Sequence, residues 1–238
     1  MSKAPHPPVD EIKPPSPRGL IKEALGLLEF ARLLKKFPDL ARQPGGNGEP
    51  VLVIPGYGTS DKITAVLRLY LKHLNYTPMG WGLGRNDGNV PELMATLSET
   101  FFPDGTSPAG RLHLVGWSLG GYLARELARE YPTQVRQVIT MGSPVVGGPK
   151  YTVTAGWYRK MGYDLDEIER AVAERYARPL TVPVTAIFSK NDRIVAWQAC
   201  IDRQSPNVKH IEVRTTHSGL GFDPDVYRII ARRFAAFT

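Results

Sequence analysis

Five residues, Gly116-Trp117-Ser118-Leu119-Gly120, carry the strongest chemical signal in the chain. A serine with glycine two places to either side can sit at a very tight turn, because larger side chains there would collide. The run before it, Arg111-Leu112-His113-Leu114-Val115, suits a buried strand, and residues 121–131 follow a helical pattern. A strand, a sharp turn bearing serine, and a helix form a nucleophile elbow, which lifts the hydroxyl clear of a sheet and aims backbone N–H groups at the same point. In isolation the same letters also fit a glycine-rich turn with a solvated serine.

A serine hydroxyl is a poor nucleophile near neutral pH and needs a base within hydrogen-bond reach, held by a third group. The chain has five histidines. His6 lies in a proline-rich stretch, His73 ends a helical pattern, and His113 and His210 fall inside strands. His217, in Thr215-Thr216-His217-Ser218-Gly219, follows the last strand pattern and precedes the last helix. That places it at the carboxyl edge of a sheet, where crevice ligands bind, and makes it the candidate base. The loop Ser189-Lys190-Asn191-Asp192-Arg193 directly follows another strand pattern, so Asp192 is the candidate acid. Its alternative is a turn aspartate that satisfies local amides. Asp202 and Asp223 fall on helical or capping positions. A tetrahedral oxyanion would need two preset N–H donors, expected from the amides of Leu119 and Tyr57. Tyr57 follows Gly56 in the turn after the first strand pattern.

These residues must be positioned by elements, and the periodicities supply them. Strand patterns fall at 51–54, 76–81, 111–115, 135–141, 182–188 and 208–213. Helical patterns fall at 61–73, 90–102, 121–131, 165–177 and 224–237, with Asp164 and Asp223 as candidate N-caps and Pro224 in a first turn. Strands alternating with helices predict an α/β fold with a mainly parallel sheet and helices on both faces. Residues 1–18, with Pro5, Pro7, Pro8, Pro14, Pro15 and Pro17, are expected to form an extended tail. Residues 19–42 read as one amphipathic helix, followed by a Pro/Gly linker at 43–50, with the main domain at 51–238. The helix is expected to pack on that domain; an interfacial membrane anchor is the less favoured reading.

Composition narrows the function classes. The 238 residues suit one domain, and their net charge of +7 is scattered. Without a basic run interleaved with aromatics, nucleic-acid binding is not expected. The single cysteine, Cys200, forbids an intramolecular disulfide and argues against a Cys/His zinc cluster. The loop at 82–87 and the turn at 56–61 lack the third glycine of a dinucleotide fingerprint, and neither has a phosphate-loop Gly-Lys-Ser/Thr. No signal-peptide pattern and no apolar run of spanning length is visible, so the cytoplasm is the expected compartment.

From Val51 onward the chain resembles the α/β-hydrolase superfamily, and within it small bacterial carboxylesterases and lipases. Val51-Leu52-Val53-Ile54-Pro55-Gly56-Tyr57 looks like the oxyanion strand and loop, and 116–120 like the elbow. Thr140-Met141-Gly142-Ser143-Pro144 is similar to a lipase strand end, and the Asp192 and His217 loops follow in the family's order of serine, acid, histidine. Many lipases have His-Gly where this chain has Pro55-Gly56. The first two strands of the full superfamily sheet are not evident, so a reduced sheet of about six strands is expected.

The resemblance implies a short cap at about 145–180, where Tyr151, Val153, Trp157, Tyr158, Met161, Tyr163, Leu165 and Ile168 give apolar and aromatic character. Trp117, Trp157 and Tyr158 are the candidate pocket residues. It further implies a serine hydrolase of carboxylic esters, with a small-molecule or lipid ester as substrate and no cofactor or metal. A thioesterase, acyltransferase or lipid deacylase could use the same three residues, and a non-catalytic binding protein could use the same fold.

Overall fold

The computed structural model describes residues 12–237. The part of the proline-rich tail before residue 12, His6 included, lies outside them.

Among the described residues, six strands form one sheet: β1 (Pro50–Ile54), β2 (Thr77–Gly80), β3 (Leu112–Trp117), β4 (Val135–Met141), β5 (Val184–Phe188) and β6 (Val208–Glu212). Every neighbouring pair is parallel, in the order β2-β1-β3-β4-β5-β6. The α/β architecture read from the sequence is the one observed.

Side chains alternate across the strands, as a pleat requires. Val51, Val53, Val115, Ile139 and Ile187 point to one face, and Leu52, Ile54, Leu112, Leu114, Val138 and Val184 to the other. The first face is covered by α1 (Gly26–Leu40), α2 (Asp61–His73) and, from the end of the chain, a helix at Pro224–Ala235. The second is covered by α3 (Val90–Phe101) and α4 (Leu119–Glu130). Two further helices, α5 (Ala155–Lys160) and α6 (Leu165–Tyr176), belong to the segment between β4 and β5, and the C-terminal helix is α7.

The caps follow the sequence. Asp164 accepts hydrogen bonds from the Asp166 and Glu167 amides at the start of α6, and Asp223 accepts one from Asp225 at the start of α7.

The N-terminal helix differs from the single α-helix expected over 19–42. It begins as a 3-10 helix, Pro17–Leu25, and becomes α-helical only at Gly26. Close approach to the domain accompanies the tighter winding. A Cβ on Gly26 would stand 2.6 Å from the Gly219 nitrogen, and one on Gly19 would stand 3.1 Å from the Arg193 Cδ. Leu33 and Leu40 of α1 enter the core, Phe30 meets the ring of Phe222 edge-on, and Arg32 lies 3.9 Å from Asp223. Ahead of this helix, Ile12 is buried with Tyr151, Ala196 and Ala199, so the described end of the tail rests against the body of the protein.

Among the described residues, no helix is long and apolar enough to cross a membrane.

Candidate active site

The chain runs from β1 outward to β2 and then back across β1 to β3. The loops after β1 and β3 therefore diverge at the carboxyl edge and leave a crevice there. Ser118 stands at that point, between β3 and α4, with φ 54° and ψ −123°. A non-glycine residue with positive φ is strained and persists only where its surroundings enforce it. Here three glycines do so. A Cβ on Gly116 would stand 2.2 Å from the Gly120 carbonyl oxygen, one on Gly120 would stand 2.3 Å from the Ile54 oxygen, and one on Gly121 would stand 1.9 Å from Ser143 Oγ. The Ser118 amide donates to the Met141 carbonyl at 2.8 Å, which ties the turn to the next strand.

Gly56 comes equally close from the other side of the crevice, since its Cβ would stand 3.2 Å from Ser118 Cβ. The turn that carries Gly56 and Tyr57 is clamped by the buried Asn86. Its side chain donates to the Pro55 oxygen at 2.9 Å, its backbone nitrogen donates to the Thr59 oxygen, and its carbonyl accepts from the Gly58 amide. Neither the Tyr57 nor the Leu119 amide donates a hydrogen bond within the described residues. The glycine-rich loop around Asn86, which has neither a dinucleotide fingerprint nor a phosphate-loop motif, braces the turn at Tyr57 in the fold.

Asp192 and His217 meet from the loops after β5 and β6. His217 Nδ1 lies 2.6 Å from Asp192 Oδ2, and both side chains are buried. The other oxygen, Oδ1, accepts the amides of Ile194 at 2.8 Å and Val195 at 2.7 Å, which fixes the carboxylate plane. Gly142, with φ 57°, leaves room for the pair, for a Cβ there would fall 3.0 Å from His217 Nδ1 and 3.1 Å from Asp192 Oδ2. Burial pulls the His217 pKa down, but the charge and hydrogen bond of Asp192, with the charge of Glu23, outweigh it and leave the pKa above its ordinary value.

The competing groups have other partners. Asp202 forms a buried pair with Arg125 at 2.5 Å, and its amide donates to His210 Nε2. His113 lies 3.1 Å from Gln137 Nε2, and burial lowers its pKa to about 4. His73 rests against the ring of Phe37.

Glu23 was not foreseen. The 3-10 helix inserts its carboxylate between the loops that carry Asp192 and His217. Oε1 accepts the Arg193 amide at 2.9 Å and the His217 amide at 3.3 Å, and Oε2 accepts the Ser218 amide at 2.8 Å. Burial raises the pKa of Glu23, but these bonds and the nearby His217 lower it further, so the net shift is downward. In sequence Glu23 is marked only by Gly19 and Gly26 on either side, which permit close approach to the domain, and nothing in that spacing says what the carboxylate meets.

Ser118 and His217 line one cavity of about 950 Å³. That is near the upper end of ligand pockets, about 300–1,000 Å³. Its walls come from α3 (Val90, Met94), from Trp117, and from the segment between β4 and β5 (Val153, Tyr158, Ile168). That segment lies over the crevice, pinned by an antiparallel bridge between Thr152 and Val195. Trp117 and Tyr158 line this cavity. Trp157 is not among them; its ring packs on Tyr57 and Tyr158 from outside and is nearly half exposed. A tryptophan one residue from a lining position on a short helix points away from the cavity that its neighbour faces.

A family model described as the alpha/beta hydrolase fold matches residues 105–178, the stretch that includes the serine turn and most of the cap segment. No curated protein matches the chain in sequence. Solved structures do match in fold. Mouse alpha/beta hydrolase domain-containing protein 10 is 20% identical, with a TM-score of 0.60 over 82% of this chain and 91% of that one. The monoacylglycerol lipase of Paleococcus ferrophilus is 14% identical, with a TM-score of 0.60 over 82% and 97% of the two chains. A structure from a study of the metagenome-derived lipolytic enzymes LipS and LipT is 15% identical, with a TM-score of 0.62 over 82% and 95%. With its parallel six-stranded sheet and a strained serine at the crevice, the chain has the α/β-hydrolase fold.

Proposed function

We propose that the chain is a serine hydrolase of carboxylic esters. The observation that carries the reading is that Ser118, held at positive φ, and His217 line one largely apolar cavity, with His217 Nδ1 2.6 Å from the buried Asp192 carboxylate behind it. In this reading Ser118 Oγ attacks the ester carbonyl while His217 Nε2 takes its proton, leaving imidazolium supported by Asp192. The tetrahedral oxyanion lies between the Tyr57 and Leu119 amides, both free to donate. Collapse breaks the bond to the alkoxy group, which leaves as alcohol with the proton from His217. Water, deprotonated by His217, then attacks the acyl-enzyme; the acid leaves and Ser118 regains its proton. The lipase and lipolytic-enzyme neighbours and the apolar walls favour an ester with an apolar acyl chain over a small polar one.

A panel of p-nitrophenyl esters from acetyl to lauroyl tests this, with fluorophosphonate labelling of the native chain as the active-site check. Turnover is expected across the panel, with kcat/KM highest beyond the shortest chains. Tyr158→Ala is expected to change the ranking by chain length, while Trp157→Ala, behind the wall, is expected to change it less. A folded protein that neither labels nor turns over any ester would overturn the proposal. Adding an alcohol acceptor to the assay separates hydrolysis from acyl transfer by the product formed.

The Glu23 contacts yield a second expected result. General-base action needs neutral His217, so activity rises with pH through the folded pKa of that group. The Glu23 charge helps to raise that pKa. Glu23→Gln keeps one acceptor oxygen and removes the charge, so the acidic limb of the kcat/KM profile is expected to move to lower pH. Loosening of the two loops is expected to lower the plateau by about tenfold. Glu23→Asp is expected to restore the limb in part. An unmoved limb in Glu23→Gln would show that the carboxylate serves the fold alone.

A further inference from the structure

The N-terminal helix is apolar on two sides, and the fold uses only one of them. Leu33 and Leu40 face the core, and Glu23 and Gly26 face the base loop. On the other side Ile21, Leu25 and Leu28 recur at helical spacing and are 84%, 55% and 63% exposed, and Leu34, further along, is 60% exposed. Apolar side chains left exposed together on one side of a helix mark an interaction surface, so this outer surface calls for a partner.

Three observations bear on what that partner is. First, the surface is fringed by exposed cations, with Lys22 beside Ile21 and Lys35 and Lys36 beyond Leu34. Of the acidic groups on this segment, Glu23 is buried on backbone amides and Glu29 pairs with Arg32 at 2.5 Å, which leaves Asp39 alone exposed against Lys22, Lys35 and Lys36. Second, the cap presents the same chemistry, with Trp157, Met161 and Tyr163 exposed and Arg159 and Lys160 exposed between them. Third, the catalytic cavity reaches solvent between these two apolar edges. Leu20 of the helix and Tyr163 of the cap are both exposed and both line it. A protein seated there would cover the cavity mouth, whereas a bilayer would bring an ester to it.

We infer that the outer face of the N-terminal helix, together with the exposed edge of the cap, docks on anionic lipid surfaces with the cavity mouth turned toward the lipid. Basic amphipathic helices bind in this way, with the apolar face in the acyl boundary and the cations among anionic headgroups. The sequence favoured packing on the domain over interfacial anchoring; the structure has faces for both. The ester reading enters only in what the surface would deliver, since docking itself needs no catalysis.

Co-sedimentation of the full chain with vesicles tests the inference, using phosphatidylcholine alone and phosphatidylcholine mixed with phosphatidylglycerol. The protein is expected to pellet with the anionic vesicles at least about tenfold more tightly than with the neutral ones, and less so at high salt. Ile21→Glu/Leu28→Glu is expected to abolish binding while leaving the melting temperature and the turnover of a short soluble ester unchanged. Equal binding by the variant, or no binding by the native chain, would overturn the inference. So would a native dimer in light scattering that the variant turns into monomers, since the face would then join two copies. If vesicle binding holds while ester turnover is absent, the docking inference stands and the ester proposal fails.

Discussion

Ser118→Ala is expected to lower kcat/KM for ester hydrolysis by at least about 10³-fold, as loss of a nucleophile does in a serine–histidine–acid unit. The fold should survive, because the groups that hold the turn are backbone groups. The Ser118 amide still donates to the Met141 oxygen, and the Ser118 carbonyl still accepts from Gly121. Alanine meets the same positive φ that serine already tolerates. The hydroxyl is half-buried and makes no hydrogen bond within the described residues, so its removal should shift stability by less than about 0.5 kcal/mol. Fluorophosphonate labelling should vanish with activity, while circular dichroism and melting stay as in the native chain. Near-native turnover in a folded, labelled Ser118→Ala protein would place the nucleophile elsewhere.

The parts of the site that were legible in sequence are those whose geometry is local. Gly116, Ser118 and Gly120 lie within one turn, and the steric demand that selects them is the one their Cβ positions reveal. Asp192 and His217 were legible because a parallel sheet places every loop that follows a strand at the same edge. The strands were legible as short apolar runs, since helices cover both faces of the sheet and β1, β3, β4 and β5 each supply side chains to both core clusters. Glu23 was not legible. It acts on backbone amides, which every residue has, at a sequence separation of 194 from His217, and a glutamate on a charged amphipathic helix ordinarily faces water. Asn86 escaped for the same reason, because it holds the Pro55 carbonyl and not a side chain. The outer apolar face escaped because periodicity shows that residues share a side of a helix, not which side the domain covers.

Asp192→Asn is expected to cost about 10⁴-fold in kcat while the site keeps its shape. One oxygen can continue to accept the Ile194 and Val195 amides, as Oδ1 does now. The group facing His217 Nδ1, 2.6 Å away, would then be an NH₂ in place of an acceptor oxygen. Two donors cannot face each other, so neutral His217 would turn its Nδ1 lone pair toward the amide and carry its proton on Nε2. In that tautomer it cannot take the proton of Ser118. The same change removes the charge that raises the His217 pKa, so the acidic limb of the profile should fall to lower pH as the plateau drops. Asp202 cannot stand in for it, being committed to Arg125 and to the Gln204 and Ser205 amides. In the proposed mechanism the three residues act as one unit, so adding Asp192→Asn to Ser118→Ala should lower residual activity little further. Full additivity in the double variant, or native-like turnover in Asp192→Asn, would mean that another group orients His217.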